Sequence, residues 1–428
     1  MKRLHLKYGR EMISPDLFLG EYDLLTEAME EKHVDEVAII EDILAHPIAS
    51  PNVQDFVSPS ERLAIIVPDK TRRCRTDLYL PILLQRIESA GVRRENISII
   101  FANGTHAAQS EKEKRALIGD AIYDSYTIIE HDAKDEASMV FAGKTIFGTD
   151  VRIHPRVADA DKIIATGTIV HHYFAGVGGG AKLLMPGVAA YSTAVQNHRR
   201  TLTEDGEFHP MCRDAQTSGN PVYEDIADAV RFYPPIFYFA VHLDEHGSIC
   251  DGVCGDLRAA HDVGIEKINA MYLKPITKRY DLVVVSAGGY PKDINFIQAH
   301  KSIQHAFYAV KDAGVIICLA ECEDGIGNAA FLDWFRYKSF EEFRSALLSH
   351  YTMNGHTALS LMNKTKNATI IFVSSLDERD VVLMQMKPAR DIEDALKKAR
   401  EILPEEFSTL IVENGSRYVP KVEGKEGT

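Results

Sequence analysis

The sequence predicts an α/β fold: two parallel-sheet α/β domains with the active site in the cleft between them. Three observations carry that expectation. Short β-branched runs alternate with helical patterns along the chain. The runs are mostly apolar rather than alternating, as strands covered on both faces tend to be. The unusual residues gather where those runs end, which in open parallel sheets is where ligands bind.

The strand-like runs lie at 63–67, 97–101, 162–165, 282–286, 315–319 and 369–373. Helical patterns include 77–90 and 302–312, the second ending before Gly314 as its expected cap glycine. A polar turn at Lys274, Pro275, Ile276 and Thr277 marks a domain junction. The expected division is an N-terminal α/β domain over 1–275, a C-terminal α/β domain over 276–405, and a tail over 406–428. The tail is expected to return to the N-terminal domain and to fray after Tyr418.

Composition narrows the function classes. At 428 residues and 45% hydrophobic, the chain can bury two cores. A formal net charge of -14 argues against nucleic-acid binding, which needs a basic surface. No apolar run reaches the roughly 18 residues of a membrane span, and the start MKRLHLKYGREM lacks the apolar core of a signal peptide. Six cysteines are dilute for this length, which points to a reducing cytoplasm. Cys250 with Cys254, and Cys318 with Cys322, have three residues between them rather than the usual two of a zinc knuckle. They are expected to be inert thiols.

The segment 161–198 holds the densest chemistry: an apolar strand, His171 and His172, a glycine loop, Lys182, and His198. Gly176, Gly178 and Ala181 fit a relaxed dinucleotide fingerprint, but no acid-ended second strand follows. A Walker loop is disfavoured because Leu183 follows Lys182. The glycines are therefore either a flexible turn or a nest of backbone N–H groups for a phosphate or mononucleotide, with Lys182 bonding the ligand. His198 falls on an expected helix over 189–200 and can point back at the loop as metal ligand or base. His106 and His172 end two different strands, an arrangement suited to a pair of general acid/bases. His171 should point the opposite way on extended backbone. The other histidines, His131, His154 and His261 among them, are expected to be structural or superficial. Arg72, Arg73 and Arg75 crowd one strand end, as an anion site would require, and Asp69 either orients Arg72 or caps the next segment. Gln298 and Lys301 share one face of a helix start and suit a carboxylate.

These residues resemble the lactate racemase family, over nearly the whole chain. The core motif H-x-F-A-G-x-x-G-G-x-K, with a histidine sixteen residues after the lysine, stands here as His172, Phe174, Ala175, Gly176, Gly179, Gly180, Lys182 and His198. The family's D-x-T-R appears as Asp69, Thr71 and Arg72, its G-T-H as Gly104, Thr105 and His106, and its Q-x-x-K as Gln298 and Lys301. The resemblance implies a racemase or epimerase that inverts C2 of a 2-hydroxy acid by proton-coupled hydride transfer, through a 2-keto acid. It implies a nickel-pincer nucleotide, pyridinium-3-thioamide-5-thiocarboxylic acid mononucleotide with Ni(II), joined covalently to Lys182. His198 would ligate the nickel. Gly176, Gly178, Gly179, Gly180 and Asp69 would lie with the cofactor. His106 and His172 would be the two bases, and Arg72, Gln298 and Lys301 would hold the substrate carboxylate. Separate cofactor-biosynthesis enzymes would be partners in maturation.

The chain departs from the lactate enzyme's pattern at four places. His171 and Arg73 stand where that enzyme has proline, Ala181 where it has arginine, and Ile297 where it has tyrosine. The pocket is thereby altered, with extra polarity from His171, Lys70 and Arg73, which suggests a 2-hydroxy acid other than lactate, such as malate or a sugar acid like gluconate. A binding protein for 2-hydroxy or sugar acids, or a metal-dependent hydrolase using the same histidines, stands as the alternative.

Overall fold

The computed structural model describes residues 4–13, 21–26, 35–72, 74–244 and 246–423. Its contacts divide the chain into two units. One comprises Glu31–Thr201 and Pro210–Asn269, the other Met1–Glu30, Leu202–His209 and Ala270–Thr428. Each holds one six-stranded sheet with its own core.

The first sheet runs in the order Ile249–Asp256, Ile236–Leu243, Lys162–Thr168, Leu63–Pro68, Ile97–Ala102 and Thr127–Glu130. Every neighbouring pair is parallel except Ile236–Leu243 with Ile249–Asp256 at one edge, which is antiparallel. All six residues of Leu63–Pro68 are buried, which explains their unbroken apolar run. The Thr76–Ser89 helix follows, and Tyr79, Leu80, Leu83, Leu84 and Ile87 face the core at helical spacing. The second sheet is wholly parallel, in the order Lys387–Ala389, Thr369–Val373, Val310–Leu319, Tyr280–Ser286, Thr409–Val412 and Tyr22–Leu25.

Two expectations are corrected here. The helix placed at 302–312 is Phe296–Ala309, begun by Asn295, whose side chain accepts the Gln298 N–H. Gly314 does not cap it, because the chain turns extended at Val310 and enters the Val310–Leu319 strand, pairing Val310 with Tyr280. The tail is the other. Thr409–Val412 is fully buried between Tyr280–Ser286 and Tyr22–Leu25, so it completes the second sheet. Directly after Tyr418 the chain forms the strand Val419–Val422, which pairs with Leu273–Ile276. Among the described residues no helix is long and apolar enough to cross a membrane.

Candidate functional site

Strand ends in the first sheet supply most of the expected site. Leu63–Pro68 delivers Asp69, and Ile97–Ala102, its parallel neighbour, delivers Asn103 to His106. Asp69 is 2% exposed. Its Oδ1 accepts the Thr71 N–H at 3.1 Å and the Thr71 hydroxyl at 2.7 Å, while Oδ2 bonds His106 Nδ1 at 2.6 Å. Burial pushes this carboxyl upward, but the hydrogen bond and charge of His106, with Thr71 and Arg72, outweigh it and hold the group below the usual carboxylate range. A carboxylate at Nδ1 places the ring proton there and leaves Nε2 as the acceptor. The His106 side chain is 45% exposed, so that nitrogen can meet a ligand. The carboxyl of Asp69 thus orients His106, and its backbone oxygen takes the Arg72 N–H at 3.0 Å.

The second histidine lies on a short hairpin after Lys162–Thr168. Val170–His172 pairs antiparallel with Gly176–Gly178, with His172 opposite Gly176. His172 Nδ1 accepts the Ala175 N–H at 3.3 Å. The buried ring of Phe174 is the hub around which the other groups gather. It lies edge-on to His172 at 4.5 Å between centroids and edge-on to His198 at 4.9 Å. The Lys182 amine stands 5.3 Å from the same ring centre. His198 ends the Tyr191–His198 helix, shorter than the expected 189–200, and is buried. Asn220 Nδ2 donates to the Phe174 carbonyl at 2.9 Å and fixes the hub from behind. Burial pushes the Lys182 amine down to about 7, helped by the Arg72 charge.

The glycine loop is built differently from a phosphate nest. A Cβ on Gly180, where φ is +52°, would sit 2.6 Å from His261 Nδ1, and one on Gly176, where φ is +76°, 2.1 Å from the Gln216 carbonyl oxygen. The Gly180 N–H donates to the Tyr238 hydroxyl at 2.9 Å and the Lys182 N–H to the Gly179 oxygen at 3.0 Å. Protein packing alone therefore demands glycine at 176 and 180, and the N–H groups of Gly180 and Lys182 already have partners. Gly178 and Gly179 complete the turn that carries Lys182.

Other expected site residues separate. Arg75 binds both Glu36 carboxylate oxygens at 2.7 Å, so it leaves the anion site. Lys70 pairs with Glu113 at 2.7 Å. His171 points away from His172, as alternation requires, and bonds Asn269 Oδ1 at 2.8 Å. Arg73 lies outside the described residues. In the other unit, Lys301 donates to Gln298 Oε1 at 2.7 Å on the first turns of Phe296–Ala309. All six cysteines are free, and among the described residues no group of three or more His, Cys, Asp and Glu side chains is arranged to hold a metal.

Sequence reasoning missed the roles of Phe174, Asn220, Tyr238 and His261. Only the phenylalanine carried a signal, its place inside the histidine–glycine–lysine motif.

A family model described as the lactate racemase N-terminal domain matches residues 8–209, and one described as its C-terminal domain matches residues 276–419. The lactate racemase of Lactiplantibacillus plantarum is 31% identical over 372 residues, covering 85% of this chain and 86% of its own. That of Thermoanaerobacterium thermosaccharolyticum is 28% identical over 427 residues, covering 97% and 98%. The lactate racemase apoprotein structure from the latter organism superposes with a TM-score of 0.89 at 27% identity, over 98% of this chain and 100% of that one. A Thermotoga maritima structure, at 16% identity and a TM-score of 0.64, shares the fold alone.

Proposed function

The chain belongs to the lactate racemase family, and from that premise we propose that it inverts C2 of a 2-hydroxy acid with a nickel-pincer nucleotide tethered to Lys182. The observation that carries this reading is the convergence of Lys182, His198 and His172 on the one ring of Phe174.

The residues fit such a group. A desolvated lysine with its amine drawn down to about 7 is a competent nucleophile for acylation near neutral pH. One buried histidine packed against the same ring would suit a metal whose other donors come from the cofactor, and imidazole is a good ligand for Ni(II). A metal hydrolase would instead need a cluster of protein ligands, which the described residues do not offer. When bound, the cofactor supplies a reversible hydride acceptor, which spares the enzyme from removing a barely acidic C2 proton.

The chain's own residues supply protons and position. His106 Nε2 takes the substrate hydroxyl proton, and Asp69 stabilises the imidazolium that results. His172 serves the opposite stereoisomer, whose hydroxyl faces the other way. Its bond from Ala175 is long at 3.3 Å and is cheaply given up when the ring takes a second proton. Each turnover starts with one imidazole neutral and the other protonated, and the two exchange roles when the reaction runs in the other direction. Arg72 is a carboxylate holder by its guanidinium fork, and in the other unit Gln298 with Lys301 form an amide–cation pair of the chemistry that also suits a carboxylate.

The substrate reading is a 2-hydroxy acid other than lactate, with malate and sugar acids such as gluconate as candidates. Ala181 and Ile297 support it, whereas Lys70 and His171 do not, being bonded to Glu113 and Asn269. Maturation calls on separate cofactor-biosynthesis enzymes, and the free state of all six cysteines supports a cytoplasmic setting.

Intact mass and metal analysis of protein made in a host with the cofactor pathway test the reading. An adduct on Lys182 with one nickel is expected, and unmodified protein overturns it. A panel of single enantiomers, followed by chiral chromatography, then tests the substrate. Activity on lactate alone would remove the non-lactate reading.

A further inference from the structure

We propose that Asp225 is a positioning residue for His198, an inference that rests on the reading of His198 as the nickel ligand. Asp225 lies on the Pro221–Ala229 helix and has no exposed surface. A carboxylate so deeply buried persists only when donors surround it. Four do. Oδ1 accepts the Thr145 hydroxyl at 2.6 Å. Oδ2 accepts the Thr149 hydroxyl at 2.8 Å, Asn197 Nδ2 at 2.9 Å and Arg200 Nε at 3.0 Å.

Two of those donors bracket His198 in the chain, Asn197 immediately before it and Arg200 two residues after. Both converge on one oxygen, so the last turn of the Tyr191–His198 helix is clamped on either side of the histidine. Asn197 Nδ2 also donates to the Val222 carbonyl at 3.1 Å, which ties the clamp to the same supporting helix. Arg200 reaches further, to the Thr149 hydroxyl at 2.9 Å and to the Phe147 carbonyl. The supporting helix touches the hub as well, because its N-cap Asn220 holds the Phe174 carbonyl. One nine-residue helix thereby fixes both the backbone that carries His198 and the ring against which His198 packs.

A ligand bound through one imidazole depends on that imidazole's direction, and groups that orient a metal ligand change affinity by about 10–100-fold. Lys182 is not part of the clamp, so covalent attachment should survive its loss. Holoenzyme made in a host with the cofactor pathway is challenged with EDTA. Nickel release is timed by metal analysis, and adduct occupancy on Lys182 is read by intact mass. Asp225→Ala and the equal-sized Asp225→Asn should keep wild-type adduct occupancy while releasing nickel at least tenfold faster (about the low end of that range). Thr149→Val, which removes one donor to the same oxygen, should fall between them and wild type. If Asp225→Ala does not fold, Asp225→Asn decides. Nickel release from Asp225→Asn at the wild-type rate, while His198→Ala releases quickly, overturns the positioning role alone. Adduct and nickel falling together, in step with melting temperature, also overturn it and mark Asp225 as a stability residue. Wild-type protein with neither adduct nor nickel overturns the cofactor reading and this inference with it.

Discussion

Lys182 and Asp69 are the two residues whose charge the fold moves most purposefully. The Lys182 amine is drawn from the ordinary 10.5 to about 7 by burial. A lysine whose folded value lies below its unfolded one costs stability at every pH below the unfolded value, because the unfolded chain binds the proton more tightly. The cost is complete at and below about pH 7 and vanishes above about 10.5. Apo Lys182→Met should therefore melt higher than apo wild type at pH 7, with the gap closing as pH rises towards 10.5. A constant gap in pH-dependent melting would show that the amine titrates normally. Asp69→Asn keeps the size of the side chain but removes the charge that steadies a protonated His106. It should lower kcat by about 100-fold, the lower range of an acid–base contribution. Because the overall equilibrium is fixed by the substrate, kcat/KM must fall by the same factor in both directions. Rates within threefold of wild type would show that Asp69 does not assist. Of this site, the histidines, lysine and arginine were legible, because motif spacing and strand ends point to them. The Asp69–His106 bond spans 37 positions and Phe174's contacts are tertiary, so neither could be read from local pattern.

Elements were legible where composition and burial agree. Thr369–Val373 is largely β-branched, apolar and buried past Thr369, and sits where expected. Ile236–Leu243, just as deeply buried in the first sheet, was missed because its core is aromatic, Phe237, Tyr238 and Phe239, rather than β-branched. The start of Phe296–Ala309 was misplaced because Asn295 caps it while the apolar pattern strengthens only later. The glycine turn also fits closely against His261, a contact that no local pattern announces. Gly180→Ala should cost about 1–3 kcal/mol by crowding, with a further ~1 kcal/mol for the left-handed backbone. His261→Ala removes the ring that the new Cβ would strike. In urea unfolding, the double variant should show a favourable coupling of at least about 1 kcal/mol against the sum of the singles. Strict additivity would mean that His261 does not set the glycine requirement.

At the scale of the molecule, the two units are not two contiguous stretches of chain. The boundary is crossed at residues 30/31, 201/202, 209/210 and 269/270, and the second sheet draws strands from both ends of the sequence. A linear reading finds neither of the two strands that make this exchange, since Tyr22–Leu25 and Thr409–Val412 are four residues each and nothing in them names their neighbours. Both strands end up in the second sheet, and Thr409–Val412 is interior to it. Its residues Leu410, Ile411 and Val412 are each at most 1% exposed. Burying each such side chain is worth roughly 1.5–3 kcal/mol, so the three together supply about 5–9 kcal/mol. That is comparable to the whole stability of an ordinary domain, about 5–15 kcal/mol. Ending the chain at Glu405 removes this strand and also the Val419–Val422 pairing with Leu273–Ile276. The second sheet should then fail to fold, while the first sheet, which takes no strand from the tail, should remain cooperative. Limited proteolysis would separate the two outcomes. Residues 280–400 should be cut quickly in the shortened chain, and the stretch 35–201 should survive. Equal protection of both regions would mean that the tail strand is dispensable to the fold.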